Sequence, residues 1–524
     1  MTQLPSTFVS RVFEKTGSVL LSLHPDWRRI RRAGLIVSIG ILLLLPVWIV
    51  RYPPLVDYPN HLARYFILAH LKDPNLHLAE LYESKWGPYP YVALDLLGVA
   101  LQRLMPIYVV GKVILSLCLV GVPIAAFFFL RQVSPEGRYL AAWTLVIAYG
   151  PLLMSGLMND VLSEAICFWF LGVWLGYLRQ PGAIRWWSLL ALATLLYFTH
   201  LAGFAMAGLV VFTYSLLSRQ SFGRLVTSLS LFVFAGMLHF LQSVSGAADY
   251  WGRSHLQYPG FGEKLASLTD PFRAYSRWDL LGVLLALVIC VVISVWKNRD
   301  FHLRYPWIGV AGVVLLAFWL IPDMGEHYFD IRIVPYLFIL TLCAANIGRR
   351  ARVLGAIGLL VFVLRSVDVG YGFISQQPEL QSLERSFVAI PAYSRVQPLE
   401  PIKGEFFRRP YLHFWAYGVI ERGWFCPNLF HGKGLHPLAF RQFSPEPLRL
   451  NNGLRMNWPR TKHLQPCSAD VQTDPDWQEL TKYFDYLWVY DMPRFSAHAS
   501  SIGTRVYSDN SISVFRLYGL PSSH

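Results

Sequence analysis

Three side chains able to bind anions or move protons follow the first long apolar run of the chain. Asp57, His61 and Arg64 lie at positions i, i+4 and i+7, so a helix starting near Asp57 or Asn60 would present them on one face. A carboxylate, an imidazole and a guanidinium placed this way suit an acid–base or anion-binding role beside a membrane. Asp57 could equally cap that helix, and the sequence alone leaves both interpretations open.

Further candidates fall in other short polar stretches between apolar runs. Asp160 and Glu164 are one helical turn apart, would face the same way, and are candidate catalytic carboxylates together with Asp57. Arg332 follows a polar loop and could grip phosphate oxygens with its planar fork, or simply extend its head to the interface. Three more residues beside apolar runs could bind an anion or another polar ligand: His200, Glu326 and His327. His200 could equally be an ordinary interfacial histidine.

The elements that must position these residues are membrane helices. The chain has 524 residues, of which 54% are hydrophobic and 15% charged, and the apolar residues come in long blocks. That pattern is typical of a multi-span membrane protein. The net charge of +14 is no sign of a nucleic-acid partner, because most basic residues sit in short loops and follow the positive-inside rule.

The basic loops predict an orientation. The amino-terminal stretch 1–32 is basic and amphipathic, and we expect it on the cytoplasmic side, with no cleavable signal peptide. Eleven spans then place the carboxyl terminus outside, in the periplasm or beyond, as in a bacterial inner-membrane protein. The predicted spans are 33–51, 106–130, 139–156, 161–178, 186–199, 202–217, 225–244, 279–296, 306–322, 333–348 and 353–370.

Two regions lie outside the predicted bilayer. The outer loop 52–105 should contain helices at Asn60–Leu71 and Tyr91–Leu104. Residues 371–524 should form a soluble α/β or α+β domain. Its predicted elements are a strand within Ser386–Pro398, a helix at Tyr411–Arg422, an alternating strand at Tyr483–Tyr490 and a hairpin at Val506–Arg516. Cys426 and Cys467 would pair there if the compartment is oxidising.

With these features placed, the chain resembles the GT-C superfamily of membrane glycosyltransferases, which includes oligosaccharyltransferases and protein O-mannosyltransferases. The resemblance is one of plan and covers residues 33–370. It rests on a cytoplasmic amino terminus, a long first outer loop with an early Asp, an acidic second outer loop and a terminal outer domain. It implies transfer of a sugar from a polyprenyl-phosphate donor to a glycan, lipid or protein acceptor on the outer side of the bilayer.

Carried over to this sequence, Asp57 matches the family's catalytic or metal-binding carboxylate, and Asp160 matches its second-loop acidic position. The resemblance therefore implies Mg²⁺ or Mn²⁺ as a possible cofactor, with Asp57 and Asp160 as ligands. The chain departs from the paired acidic motif of many members, because Tyr58 and Pro59 follow Asp57. Metal dependence and the identity of the base are left open by this departure.

Two other functions stay open from the sequence. A transporter or lipid flippase would also carry charged residues within a polytopic fold. Against it, the sequence shows no inverted repeat or pair of broken helices, and its charges cluster outside the spans. The missing second acidic residue beside Asp57 favours a third possibility, an inactive GT-C-like scaffold in envelope polysaccharide assembly.

The predicted orientation can be tested by labelling. Single cysteines introduced at Asp57 and Phe440 should both react with a membrane-impermeant reagent added from outside, because the basic loops fall on the opposite side. Opposite accessibility of the two positions would contradict the number of spans and the placement of the site.

Overall fold

The computed structural model describes residues 25–244, 256–324, 329–400, 411–431, 435–441 and 477–519. The chain is mainly α-helical in these ranges. The helices are α1 Pro25–Ile49, α2 Tyr58–His70, α3 Leu78–Leu81, α4 Val92–Leu101, α5 Ile107–Val133, α6 Ala142–Ile147, α7 Pro151–Met154, α8 Met158–Arg179, α9 Ala183–Thr199, α10 Leu201–Leu217, α11 Phe222–Leu229, α12 Val233–Val244, α13 Phe261–Ser267, α14 Arg277–Val295, α15 Tyr305–Leu320, α16 Phe329–Ala344, α17 Ala351–Ser375, α18 Gln377–Arg385, α19 Ala416–Arg422, α20 Trp477–Tyr483 and α21 Pro493–Ile502.

The fold is that of an α-helical polytopic membrane protein. Within the described ranges, six helical stretches are long and apolar enough to cross a membrane: Arg29–Ile49, Ile107–Val133, Met158–Arg179, Phe222–Val244, Arg277–Val295 and Gly348–Ala389. Other predicted spans correspond to helices of 16 or 17 residues, such as α9, α10 and α15. The total of eleven crossings therefore stays a prediction.

One predicted span is not a continuous helix. Residues 139–156 form α6 and α7 with a break at Gly150, whose backbone is extended (ψ −177°). Pro151 explains the break, because proline lacks an N–H and disfavours helical geometry in the residue before it. The last span also differs from the prediction, since α17 continues to Ser375 rather than ending at residue 370.

The outer surface of the helix bundle is apolar. Leu281, Leu285, Val288 and Val292 on α14 are all at least half exposed, and they recur at spacings of three or four residues. A soluble protein would bury such a stripe, whereas a helix facing hydrocarbon exposes it. This surface agrees with a membrane setting for the bundle.

The outer loop 52–105 is helical at both predicted places, in α2 and α4. The two helices are joined by a buried ion pair in which Arg64 Nε donates to Asp95 Oδ1 at 2.6 Å, with both side chains fully buried. Removing two charges from water is costly unless they meet, so the pair fixes α2 against α4.

The carboxyl-terminal part contains a four-stranded mixed sheet of β6 Val396–Leu399, β8 Tyr486–Tyr490, β9 Gly503–Asp509 and β10 Ile512–Leu517. The strand order is β6-β8-β10-β9; β6 is parallel to β8 and the other pairs are antiparallel. The predicted hairpin is confirmed in β9 and β10. All five residues of β8 are buried, so it does not show the predicted alternation, because a central strand is covered on both faces.

Short two-stranded pairings tie other parts of the chain together. β1 Tyr82–Ser84 pairs antiparallel with β7 Leu438–Phe440, which joins the outer loop to the carboxyl-terminal part. The remaining two pairs link β2 Leu256–Gln257 to β4 Asp323–Met324 and β3 His302–Leu303 to β5 Ala345–Asn346. Short 3-10 turns lie at Pro74–Leu76, Gly137–Ala141, Ser230–Phe232, Asp270–Phe272, Gly348–Arg350 and Ser386–Ala389.

The carboxyl-terminal part packs directly on α2 and on the end of α1. Asn60 on α2 donates from Nδ2 to the Asn428 carbonyl at 3.1 Å and accepts from the Phe430 N–H at 2.8 Å. Tyr52 donates its hydroxyl to Glu421 at 3.1 Å. Residues flanking Asp57 are therefore bonded to the carboxyl-terminal part on both sides.

The ion pair between α2 and α4 gives a stability prediction. Asp95→Asn keeps the shape of the side chain but leaves the Arg64 cation buried without its counter-charge, so the free energy of unfolding should fall by about 3–5 kcal/mol. The thermal midpoint of the detergent-solubilised protein measures this. The double variant Arg64→Met, Asp95→Leu should recover most of the loss, and an unchanged midpoint for Asp95→Asn would contradict the assignment.

Candidate active site

Asp57 immediately precedes α2, but its carboxylate makes no capping hydrogen bond to that helix. Pro59 in the first turn starts α2 in its place, because its fixed φ suits a helix start and its missing N–H needs no partner. The carboxylate instead lies with Oδ1 3.5 Å from His413 Nε2, and the side chain retains 15% exposure. Asp57 is therefore the N-cap residue of α2 by position, but its side chain does not cap the helix.

Asp57 is held by a backbone clamp to the corner between α7 and α8. The Asp57 N–H donates to the Ser155 carbonyl at 3.0 Å, and the Val56 N–H donates to the Met154 carbonyl at 3.2 Å. Gly156 has φ +78°, and a Cβ there would lie 2.6 Å from Tyr58 N and 2.7 Å from Asp57 N. Only glycine fits a position with this φ and this approach.

The same corner leads directly into Asp160, in the first turn of α8. Arg332 Nη1 on α16 is bonded to Asp160 Oδ2, and His200 Nε2 lies 3.3 Å from Asp160 Oδ1. His200 Nε2 also lies 3.0 Å from Arg332 Nη1, and its Nδ1 accepts the Ala202 N–H at 3.1 Å, so the ring is held beside both partners of the ion pair. Three residues predicted from distant parts of the sequence thus meet at one point.

Arg332 keeps part of its donor capacity. Asp160 engages Nη1, whereas the buried Nε has no hydrogen-bond partner among the residues that the structure describes. A buried, unpaired N–H is costly, and a phosphate or carboxylate oxygen is the acceptor that the guanidinium edge fits best. The arrangement is suited to bind an anion without breaking the bond to Asp160.

His61 and Arg64 lie deeper than predicted. Arg64 is fully buried, and its Nη2 is 3.0 Å from His61 Nδ1, while its Nε is committed to Asp95. Burial, followed by the nearby positive charges of Arg64 and His413, holds the pKa of His61 well below its usual value. A neutral imidazole and a fully buried guanidinium support α2 from inside rather than offering a surface to an anion.

Glu164 lies one turn after Asp160 and is 4% exposed. It lines a cavity of about 30 Å³ together with Cys118, Pro151, Ile331 and Pro335, and its Oε1 has no hydrogen-bond partner within the described ranges. A cavity of this size holds water but not a sugar. The catalytic role predicted for Glu164 stays a prediction.

Other predicted residues lie where the structure gives no description. Glu326 and His327 fall outside the described residues, and so does Cys467, so the Cys426–Cys467 disulfide also stays a prediction. The neighbouring Asp330 is buried and accepts the Ser267 hydroxyl at 2.8 Å, which ties α16 to α13.

Two further residues belong to the surroundings of Asp57 and were not predicted: His413, whose Nε2 lies 3.5 Å from Asp57 Oδ1, and Glu400, which contacts His413. His413 and Glu400 belong to the carboxyl-terminal part, and the predicted helix over Tyr411–Arg422 begins only at Ala416. His413 has φ +63° and donates its backbone N–H to the Glu400 carboxylate at 3.1 Å. A histidine at left-handed φ inside a predicted helix has no local signal in the sequence that would identify it.

The donor atoms around Asp160 do not suit a cation. Its Oδ2 is bonded to the guanidinium of Arg332 and the imidazole of His200 lies beside Oδ1, whereas Mg²⁺ and Mn²⁺ require several oxygen ligands. Across the described ranges, no three His, Cys, Asp or Glu side chains are grouped as metal ligands. We therefore derive no step through a metal ion.

No protein-family model matches the chain, and no curated protein matches it. Among solved structures, the chain is similar to ArnT from Cupriavidus metallidurans bound to undecaprenyl phosphate, at 12% identity and a TM-score of 0.47, over 92% of this chain and 98% of that one. It is also similar to the apo state of the same protein, at 13% identity and a TM-score of 0.43, over 93% and 98%. At these values the likeness gives no residue of this chain a role.

The fold and the site together define a polytopic membrane protein with a carboxylate site at the ends of its helices. One backbone corner, between α7 and α8, separates two parts of the site. On one side lies Asp57, whose side chain is partly exposed, and on the other lies the cluster of Asp160, His200 and Arg332.

The clamp at Gly156 predicts how the site can be damaged without changing a charge. Gly156→Ala places a Cβ against the backbone of residues 57 and 58, so it should move Asp57 and lower any activity of the site by about 10²-fold. Gly176→Ala on α8 is the matched control, since a Cβ there meets nothing within 4 Å. Equal activity in the two variants would show that the clamp does not matter.

Proposed function

We propose that this protein is a GT-C-type membrane glycosyltransferase that moves a sugar from a polyprenyl-phosphate donor to an acceptor on the outer side of the bilayer. The proposal rests on the backbone corner between α7 and α8. This corner holds Asp57, whose carboxylate does not cap α2, and it leads into Asp160, which binds Arg332. The buried Nε of Arg332 has no hydrogen-bond partner within the described ranges. Sugar transfer with inversion needs both groups: a carboxylate for the acceptor and a cation for the departing phosphate.

The stretch of chain that joins the two groups is short. The Ser155 carbonyl, which accepts the Asp57 N–H, is five residues before Asp160, and Asp160 binds Arg332. The turn at Gly156 lies between them. The proposal places the sugar and its phosphate between Asp57 and Arg332.

The reaction assigns each residue one task. Asp57 takes the proton from the acceptor hydroxyl or amine, whose lone pair attacks the anomeric carbon on the face opposite the phosphate. The bond from that carbon to the phosphate oxygen breaks, and its electron pair leaves with the lipid phosphate. Arg332 holds that phosphate with its Nε edge, while Asp160 fixes the guanidinium plane and His200 orients Asp160. We assign Arg64 and His61 no contact with the phosphate, because Arg64 is fully buried against Asp95 and its Nη2 lies against His61. The phosphate-binding role predicted for them stays a prediction.

Removing the base charge tests the proposal. Asp57→Asn keeps the size of the side chain and should lower sugar transfer from a polyprenyl-phosphate donor by on the order of 10²-fold or more. Asp73→Asn in the same outer loop is the matched control, because Asp73 only caps the turn at Pro74–Leu76. Transfer at the parental rate by folded, inserted Asp57→Asn protein would refute the proposed function.

The phosphate contact has its own test. Arg332→Lys keeps the charge but loses the planar fork, so the KM for the lipid-phosphate donor should rise about tenfold while the thermal midpoint changes little. Arg395→Lys is the control, since Arg395 is paired with Asp485 in the carboxyl-terminal sheet. A donor KM equal to that of the parent would remove Arg332 from the phosphate site. A protein that moves the intact lipid without cleaving it would support the transporter alternative.

A further inference from the structure

We infer that the carboxyl-terminal part completes the site: His413, held by Glu400, is the positioning residue for Asp57 and receives the proton that Asp57 takes from the acceptor. The inference rests on the proposed function and extends it to a second region of the chain. It makes that region part of the reaction rather than an appended domain.

The first support is the way Glu400 holds His413. The Glu400 carboxylate accepts the His413 backbone N–H at 3.2 Å and 3.1 Å on its two oxygens, and it accepts the Trp415 indole N–H at 3.1 Å. These bonds fix His413 at φ +63°, a conformation that costs free energy for any residue with a Cβ. Strain of this kind persists where the surroundings impose it, and it frequently marks functional sites.

The second support is the direction of the imidazole. Its Nε2 lies 3.5 Å from Asp57 Oδ1, and its Nδ1 lies 3.6 Å from Glu400 Oε1. The ring therefore stands between two carboxylates that belong to distant parts of the sequence. An imidazole between two carboxylates can accept a proton on one nitrogen while the other faces the stabilising charge.

The third support is that this geometry is anchored on both sides. Phe430 lies against both rings, with centroid distances of 5.4 Å to His413 and 5.3 Å to His61. Asn60 binds Asn428 and the Phe430 backbone, so the segment is tied to α2 next to Asp57. These ring contacts and hydrogen bonds therefore hold His413 next to Asp57.

The charges around His413 determine how the pair should respond to pH. Within the described part of the chain, Asp57 and His61 face it from the α2 side and Glu400 faces it from its own side. Burial raises the pKa of Glu400 to about 7, against an ordinary value of 4.5, although the bonds from His413 and Trp415 oppose the rise. Above pH 7 Glu400 is a carboxylate that stabilises a protonated His413, and below pH 7 it is neutral and cannot.

The proton step is balanced. The acceptor O–H or N–H bond breaks, the proton passes to Asp57 and then to His413 Nε2, and the acceptor lone pair forms the new glycosidic bond. The positive charge on His413 is balanced by Glu400. The proton leaves to solvent after the lipid phosphate has departed, which restores the starting state.

The test is the pH dependence of sugar transfer by the full-length protein in lipid nanodiscs with a polyprenyl-phosphate sugar donor. The parent should lose activity as the pH falls through about 7. The activity of Glu400→Gln should not fall as the pH falls through about 7, and its kcat at pH 8 should be lower than that of the parent. His413→Asn should lower kcat by about 10²-fold with the donor KM unchanged. His498→Asn, a half-buried histidine stacked on Trp477, is the matched control.

The outcomes separate this inference from the proposed function. If the parent transfers sugar and Asp57→Asn does not, but His413→Asn has the parental kcat, only the role of His413 is overturned. The role of His413 is also overturned if Glu400→Gln loses activity with falling pH as the parent does. This result can be read even if His413→Asn fails to fold. If the parent transfers no sugar from any polyprenyl-phosphate donor, the proposed function and this inference both fail.

Discussion

The backbone clamp between residues 56–57 and 154–155 is the contact on which the candidate site depends. Two hydrogen bonds hold the segment between α1 and α2 against the corner that leads into α8, and the absence of a side chain at Gly156 allows this close approach. Because Asp160 follows that corner, one rigid connection sets the position of both acidic residues. The clamp is made of backbone atoms, so it needs neither residue's charge and leaves both carboxylates for other partners.

The site is built from charges that are removed from water in pairs. Arg64 meets Asp95 inside the outer loop, Arg332 meets Asp160 between two helices, and Arg365 meets Asp279 at 2.5 Å between α17 and α14. The Arg365 guanidinium also donates to the carbonyls of residues 272 and 273, so this pair has a structural explanation. Arg332 differs in its exposure, since its side chain retains 11% exposure, whereas that of Arg64 is fully buried and that of Arg365 retains 2%. That difference separates a candidate binding group from two groups that hold helices together.

Much of this architecture follows from patterns in the sequence. The long apolar runs predict the membrane class, and strict local signals predict α2, α4 and the hairpin of β9 and β10 at nearly their observed positions. Residue type and position at the ends of apolar runs predict Asp160, His200 and Arg332 as site residues, and the structure brings these three together. The sequence can predict placement near a membrane interface, because that placement depends only on where a residue lies along the chain relative to the apolar runs.

What the sequence does not carry is pairing across long separations. His61 and Arg64 share a helical face with Asp57 as predicted, but Asp95 draws Arg64 into the interior, and that partner is set by the packing of α4. The break at Gly150 and the delayed start of α19 both depart from local expectation. The second of these departures is where the structure places His413 against Asp57. Local rules tend to fail where tertiary contacts over-determine the backbone, and such places are frequently functional.

The most direct measurement is a cryo-EM structure of the protein in nanodiscs with polyprenyl phosphate. The account predicts a phosphate oxygen within hydrogen-bonding distance of Arg332 Nε, with the bond between Arg332 Nη1 and Asp160 kept and the carboxylate of Asp57 facing the space beside the phosphate. A lipid phosphate bound elsewhere, with the Nε of Arg332 paired to another protein group, would contradict it.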